Sequence, residues 1–219
     1  MKKTLIISGG NVNLEFAAKY CEKEQFDYFI VADNGLKVAE DIGITPDYIV
    51  GDFDSISPLI LYKYENRNDV SIRRFMPEKD FTDTYAAIDI AIEGGSFSIH
   101  ILGGTGSRLD HTIANILMLQ MALEKGVEAI IVSENNRIRL LGRKCRRIII
   151  KKENYKYVSL IPFTPVVTNI TTVGMKYNIE KYNMYVDKEI SRGVSNEILG
   201  SEGEISIDEG TLIVIESND

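Results

Sequence analysis

The sequence is poor in the residues that build covalent or metal-held scaffolds. It has two cysteines, two histidines and no tryptophan among 219 residues. Cys21 and Cys145 are far apart and show no metal-ligand spacing, which excludes a disulfide framework or a zinc site and fits a reducing, cytoplasmic compartment. No apolar run approaches the ~18 residues of a membrane span, so no membrane partner is expected. The apolar stretch near the N-terminus is too short for a signal-peptide core and leads into Asn11, Asn13 and Glu15; it reads as a first β-strand. Positive charge is in deficit, with 25 Lys and Arg against 32 Asp and Glu for a net charge of −7. A general nucleic-acid binder carries the opposite balance, so no nucleic-acid partner is expected. One basic run, Arg137 through Lys152, alternates with Ile138, Leu140, Ile148 and Ile150 and reads as a hairpin with one solvated face.

What remains is an ordinary globular composition, 44% hydrophobic and 26% charged, in a chain long enough for one large or two small cores. Up to about residue 134, strand-like and helix-like runs alternate. Thr4–Ser8, Phe26–Ala32, Asp47–Val50, Val70–Phe75, Phe97–Leu102 and Ala129–Val132 read as strands, several apolar on consecutive positions as in a sheet covered on both faces. Helix punctuation separates them: Ser57-Pro58, Thr82-Asp83 before Ala86 to Ile90 with Gly94-Gly95 after, and Asp110 before Ile113 to Met121 with Gly126 after. This alternation implies an α/β domain with a mostly parallel sheet. After about Ser133 the segments around Arg137–Leu141, Arg146–Lys151, Tyr157–Pro162, Ile170–Tyr177, Glu204–Ile207 and Thr211–Ile215 are β-like and separated by turn residues. The expected division is an α/β domain over 1–135 and a small all-β domain over 136–219.

The chemistry-bearing residues fall just after predicted strands, where open parallel sheets bind their ligands. Asp33-Asn34-Gly35 follows the second, Gly51-Asp52-Phe53-Asp54-Ser55 the third, Lys79-Asp80-Phe81-Thr82-Asp83 the fourth, and Gly103-Gly104-Thr105-Gly106-Ser107-Arg108-Leu109-Asp110 the fifth. A spacing of two in extended backbone would put the Asp52 and Asp54 carboxylates on one side. Two such anions repel unless a cation joins them, and magnesium takes one or two carboxylates while keeping water and substrate phosphates. Asp83 is a candidate third ligand, although acids at a helix start also answer the helix dipole. The glycine loop lets backbone N–H groups approach an anion, Arg108 offers a planar fork for phosphate, and Asp110 is expected as the helix N-cap. His111 is a minor candidate, and His100, inside a strand, reads as structural.

In combination and order, these strings resemble the thiamin pyrophosphokinase family, and Thr171–Tyr177 and Gly193–Glu197 extend the resemblance over nearly the whole chain. The resemblance implies a Rossmann-like α/β catalytic domain, a C-terminal β-sandwich and a homodimer with active sites between subunits. It implies ATP with Mg2+ as the donor and AMP as the leaving group. Asp52, Asp54 and Asp83 would then be the metal and catalytic acids, with Arg108 as a catalytic cation. Asp33, Asn34, Gly103, Gly104, Thr105, Gly106, Arg108 and Asp110 would bind ATP, and Lys79, Asp80, Tyr177, Ser195 and Asn196 would hold thiamin. Two departures stand out: Asp33-Asn34-Gly35 replaces an Asp-Gly-Gly of many relatives, and Tyr177 stands where some relatives place Trp. Tyrosine can still stack on a flat heterocycle and attract a cationic ring.

The expected reaction is attack of the thiamin hydroxyl on the β-phosphorus of ATP, driven by positioning and charge neutralisation. Two alternatives use the same residues: a magnesium-dependent phosphohydrolase or nucleotidyltransferase with another substrate, and a non-catalytic thiamin or nucleotide sensor.

Overall fold

The computed structural model describes residues 2–54, 56, 58–76, 80–188 and 190–219. The expected helix cap at Ser57 falls outside them. By its internal contacts the chain divides into two compact units, Met1–Ala122 with Val127–Glu134, and Leu123–Gly126 with Asn135–Asp219. No helix among the described residues is long and apolar enough to cross a membrane.

The first unit runs β1 (Lys2–Ile7), α1 (Leu14–Glu24), β2 (Tyr28–Ala32), α2 (Gly35–Asp41), β3 (Tyr48–Gly51), α3 (Pro58–Glu65), β4 (Ser71–Arg74), α4 (Asp83–Glu93), β5 (Ser96–Leu102), α5 (Leu109–Lys125) and β6 (Glu128–Val132). Its strands lie in the order β4-β3-β2-β1-β5-β6, each parallel to its neighbours. The chain winds outward from β1 to β4, then returns to place β5 on the other flank of β1. That reversal makes the β1–β5 boundary a topological switch point, where the connections leave in opposite directions and open a crevice. Leu5 and Ile7 of β1, Val31 of β2 and Ile49 of β3 are fully buried on consecutive or alternate positions, as a sheet covered on both faces requires. Helix entries follow local capping chemistry: Asn13 Oδ1 accepts the Phe16 N–H at 3.1 Å before α1, and Thr82 Oγ1 accepts the Tyr85 N–H at 3.2 Å before α4. His100 is buried with its Nδ1 2.6 Å from the Tyr20 hydroxyl, the structural role expected of it.

The loops after β1 and β5 are locked together. Ser8, Gly10 and Asn11 donate their backbone N–H groups to the carbonyls of Leu102, Gly103 and Thr105 at 2.8, 3.0 and 3.0 Å. The approach is close enough that a Cβ on Gly10 would lie 2.3 Å from the Gly103 carbonyl oxygen, and one on Gly103 would lie 2.4 Å from that of Ser8. Gly103 also has a φ of 67°. Glycine is required at both positions by contact with backbone, which has nowhere to move.

The second unit contains β7 (Asn136–Leu141), β8 (Arg147–Lys151), β9 (Tyr157–Pro162), β10 (Val166–Val173), β11 (Tyr182–Tyr185), β12 (Glu202–Ser206) and β13 (Leu212–Ser217). They form two antiparallel arrays, β7-β13-β9 and β11-β10-β12-β8. Leu141, Val158, Leu160 and Val214 from the first meet Ile150, Ile170, Met184 and Ile205 from the second in one buried core, as in a β-sandwich.

Two expectations need correction here. The basic run is not a self-paired hairpin. After an isolated bridge between Gly142 and Cys145, β7 pairs with β13 and β8 with β12. Nor are Arg137 and Arg139 solvated: they close on Glu216, itself 2% exposed, at 3.4 and 2.8 Å. Burial pushes the Glu216 carboxyl up from its ordinary range, and the two guanidiniums oppose that shift. The strand expected over Ile170–Tyr177 is displaced: β10 ends at Val173, before a Gly174 with a φ of 75°, and Tyr177 lies beyond it in a turn.

Two stability outcomes follow from this packing. Gly103→Ala should lower the unfolding free energy by at least ~1–2 kcal/mol through its left-handed backbone alone, measured by urea titration. Ile170→Ala, at a fully buried position of the sandwich core, should cost about 2–5 kcal/mol in the same measurement.

Candidate active site

A cleft of about 400 Å³ opens at the switch point of the first unit. Its floor is the interlocked pair of loops, Ser8 to Asn11 after β1 and Gly103 to Ser107 after β5; Asp33 and Asn34 border it from the end of β2, and Asp83 and Thr84 from the start of α4. The glycine loop is fixed from the helix side as well. Asn115 Nδ2 donates to the Gly104 carbonyl at 2.7 Å, and the Gly106 N–H donates to Thr112 Oγ1 at 3.2 Å. Such a preformed, backbone-lined cradle at a helix start suits a phosphate chain.

Asp33 holds a left-handed φ of 45°, uncommon for a residue with a Cβ, and its N–H bonds to the Val50 carbonyl at 3.0 Å. Backbone forced into this region is a feature of ligand-bearing turns. Asn34 occupies the N-cap position of α2 but makes no side-chain capping bond, and lines the cleft instead. Asp83 is the first residue of α4, one position after its capping Thr82, so its carboxylate sits where the helix dipole favours an anion. Ser8 and Thr84 hydroxyls meet at 2.6 Å on the cleft wall.

Arg108 borders the cleft, and Asp110 does not. Asp110 is also not the N-cap of α5: the helix begins at Leu109, which leaves Asp110 in its first turn. There it grips Arg108 through two bonds, Nη2 to Oδ2 at 2.6 Å and Nε to Oδ1 at 3.2 Å. The hydrogen bond from Arg108, foremost, brings the Asp110 carboxyl down to about 2. Asp110 therefore holds the guanidinium of a cleft residue while remaining outside the cleft itself.

The Asp52–Asp54 pair differs from the extended arrangement expected. β3 ends at Gly51, and Phe53 adopts a left-handed φ of 64°, so strand alternation has already stopped. Asp52 Oδ1 accepts the Asp54 N–H at 3.1 Å and shapes its own turn. Neither acid lines the cleft that holds Asp83. Among the described residues no three His, Cys, Asp or Glu side chains come together closely enough to hold a metal ion. Carboxylates without a cation repel, and Asp52 satisfies itself on local backbone. Residues that carry oxygen donors nonetheless line the cleft: Asp33, one oxygen of which is buried against Gly51, with Asp83, Ser8, Thr82 and Thr84. That donor set fits a hard cation carried on substrate phosphates.

Of the residues expected to hold thiamin, Lys79 lies outside the described residues. Asp80 belongs to a shallower hollow with Phe81, Thr82, Tyr85 and Met118, adjoining the cleft at Thr82. Tyr177, Ser195 and Asn196 come together in the second unit, where the Tyr177 N–H donates to Asn196 Oδ1 at 3.0 Å. Tyr177 is 66% exposed, so it is not consumed by sheet packing.

The segment from Ser8 to Asn11 and the residues Thr84 and Asn115 were not anticipated, and His111 proves to line the cleft. The signal for the first was present: Ser-Gly-Gly-Asn directly after the first strand, a position equivalent to the other strand-end clusters. Asn115 carried none, since one Asn on a helix face does not reveal that it reaches a loop carbonyl.

Comparison with known proteins agrees with this geometry. Residues 20–131 match the family profile described as thiamin pyrophosphokinase, catalytic domain, and residues 146–212 match that of the thiamin pyrophosphokinase vitamin B1 binding domain. A thiamine pyrophosphokinase of Bacillus subtilis is 32% identical over 220 residues, covering all of both chains. The crystal structure of thiamine pyrophosphokinase from Bacillus subtilis superposes with a TM-score of 0.87 at 28% identity over the full length of both chains. That of the Geobacillus thermodenitrificans protein gives 0.83 at 27% identity, covering 99% of this chain and 97% of that one. With both domain profiles matched in order and a full-length relative at this identity, the chain belongs to the thiamin pyrophosphokinase family.

Proposed function

We propose that this chain transfers the diphosphoryl group of ATP to the hydroxyl of thiamin, giving thiamin diphosphate and AMP. The observation that carries this reading is the glycine-walled cleft at the sheet's switch point, bordered by Asp83 and Arg108, in a chain whose second unit matches the vitamin B1 binding domain. The α/β unit binds ATP and the β unit takes thiamin. The hydroxyl oxygen forms a bond to the β-phosphorus, the bridge between α- and β-phosphorus breaks, and its electron pair leaves on AMP. The hydroxyl proton passes to a carboxylate of the same sheet edge, for which Asp54 is the candidate.

Most of the barrier in such transfers is met by positioning and charge compensation. Backbone N–H groups of the Gly103–Thr105 segment cradle the phosphates, and Arg108, held by Asp110, offsets their charge. Asp33 and Asn34 at the end of β2 complete the nucleotide site. Asp83, together with Asp52 and Asp54 from the end of β3, would hold magnesium, which would supply charge neutralisation at the phosphates. Lys79 and Asp80, next to Thr82 and Asp83 in sequence, and the Tyr177, Ser195 and Asn196 cluster of the second unit make up the thiamin site. The compartment is the cytoplasm, in keeping with two cysteines that form no disulfide.

The working form is a homodimer. Leu109, Ile113 and Leu117 repeat at four-residue spacing on α5 and are 70%, 56% and 49% exposed in the single chain. An apolar stripe of this kind, on a helix whose Leu119 and Ala122 pack inward, is suited to cover by a second copy.

Incubated with thiamin, MgCl2 and ATP, the protein should release AMP and thiamin diphosphate in equal amounts on chromatography; ADP in place of AMP would overturn the reading. Asp83→Asn and Asp52→Asn should each reduce kcat by about 100-fold or more with the melting temperature little changed. Leu117→Asp should convert a species of twice the 24.6 kDa chain mass into monomer, measured by light scattering on a sizing column.

A further inference from the structure

The side-chain amide of Asn196 is engaged with the backbone it holds, through its oxygen and one of its two N–H donors. Its Oδ1 accepts the N–H groups of Tyr177 at 3.0 Å and Glu197 at 2.9 Å, and its Nδ2 donates to the Tyr177 carbonyl at 2.8 Å. An amide oxygen has two lone pairs, so its acceptor capacity is filled. The bonds to Tyr177 reproduce the two-way exchange of an antiparallel ladder, with the side chain standing in for a peptide group. Real ladder contacts run up to this point: Met175 and Ile198 form a bridge, and the Lys176 N–H donates to the Glu197 carbonyl at 2.8 Å. The backbone of Asn196 is itself engaged on its other side, exchanging bonds with Val158 of β9 at 2.8 and 3.0 Å. The preceding Ser195, at a φ of 61°, donates its N–H to Ser159 Oγ at 3.0 Å and sets the turn that delivers Asn196.

Tyr177 lies one residue past the last backbone rung, on a turn, with its ring exposed. Without Asn196 its peptide would have no cross-chain partner in this arrangement, and the ring would sweep a larger volume. The salt bridge between Lys176 and Glu197 at 2.8 Å closes the same two segments from the outside, and Lys176 Nζ stands 5.7 Å from the centre of the Tyr177 ring. We infer that Asn196 is a positioning residue: it fixes Tyr177 as a platform for the heteroaromatic substrate and acts on thiamin through that ring, not by contact of its own. This inference rests on the reading of Tyr177 as part of the thiamin site. Preorganising a flat aromatic surface improves affinity by removing its ordering cost from the binding step.

The absence of tryptophan allows a clean optical test. In a Tyr177→Trp host the single indole reports the platform. Adding Asn196→Ala, or the nearly isosteric Asn196→Asp, which loses the donor to the Tyr177 carbonyl, should lower its fluorescence anisotropy before any substrate is present. Unchanged anisotropy in both variants would overturn the positioning role. In the otherwise native enzyme, Asn196→Ala should raise the KM for thiamin about tenfold, leaving kcat and the KM for ATP within about twofold. In a Tyr177→Ala background the same change should add less than about twofold to the KM for thiamin. Full multiplicative losses would instead mean that Asn196 touches thiamin itself. If Tyr177→Ala leaves the KM for thiamin unaltered, the thiamin reading of Tyr177 fails, whereas the anisotropy still decides what Asn196 does.

Discussion

The catalytic half of this protein depends on how closely two backbones approach at one place in a parallel sheet. β1 and β5 run side by side with their carboxyl ends level, Ile7 opposite Leu102. The loops that leave them have no room for a Cβ at Gly10 or Gly103. Three backbone hydrogen bonds then bind the two loops into one surface. Because the connections after the two strands leave in opposite directions, a crevice forms at this surface, lined by the glycine loop. The side chains around it come from the ends of β2 and β5 and the starts of α4 and α5, elements that the sheet brings together.

Charge at this edge is managed locally until a ligand arrives. Asp110 holds Arg108, Asp52 accepts the Asp54 N–H, and Asp83 sits at a helix start. Each group thus has a partner that lowers the cost of being charged in a ligand-free cleft. On the proposed reading, a metal–triphosphate complex would bring both signs of charge together and recruit these groups without first breaking a buried ion pair. In the second unit the polar chemistry is of another kind: Arg137, Arg139 and Glu216 are a buried cluster within the sandwich, far less able to reorganise.

The aromatic recognition proposed for the second unit follows the same logic of fixing backbone before presenting a side chain. With no tryptophan in the chain, the proposed platform is a smaller ring, and Tyr177 is carried on a turn, where backbone order is hardest to keep. The amide of Asn196 extends a ladder by one rung to meet that difficulty. Stacking surfaces contribute through their area only when they are already in place.

The order of strands and helices in the first unit, the strand-end location of Asp33, Asp83 and the glycine loop, and the all-β character of the second unit were legible in the sequence. They depend on periodicity, capping residues and turn glycines, which act over a few neighbours. What the tertiary structure alone decided were pairings between distant segments. Alternation marked Arg137 and Ile148 as strand residues, but not that their strands enter different arrays. Spacing put Asp52 near Asp54, but not the left-handed Phe53 between them. Ser8 to Asn11 became part of the cleft only because β5 returned to lie beside β1. Contacts of this sort are selected by the closure of the whole sheet, a non-local condition that no short window of sequence contains.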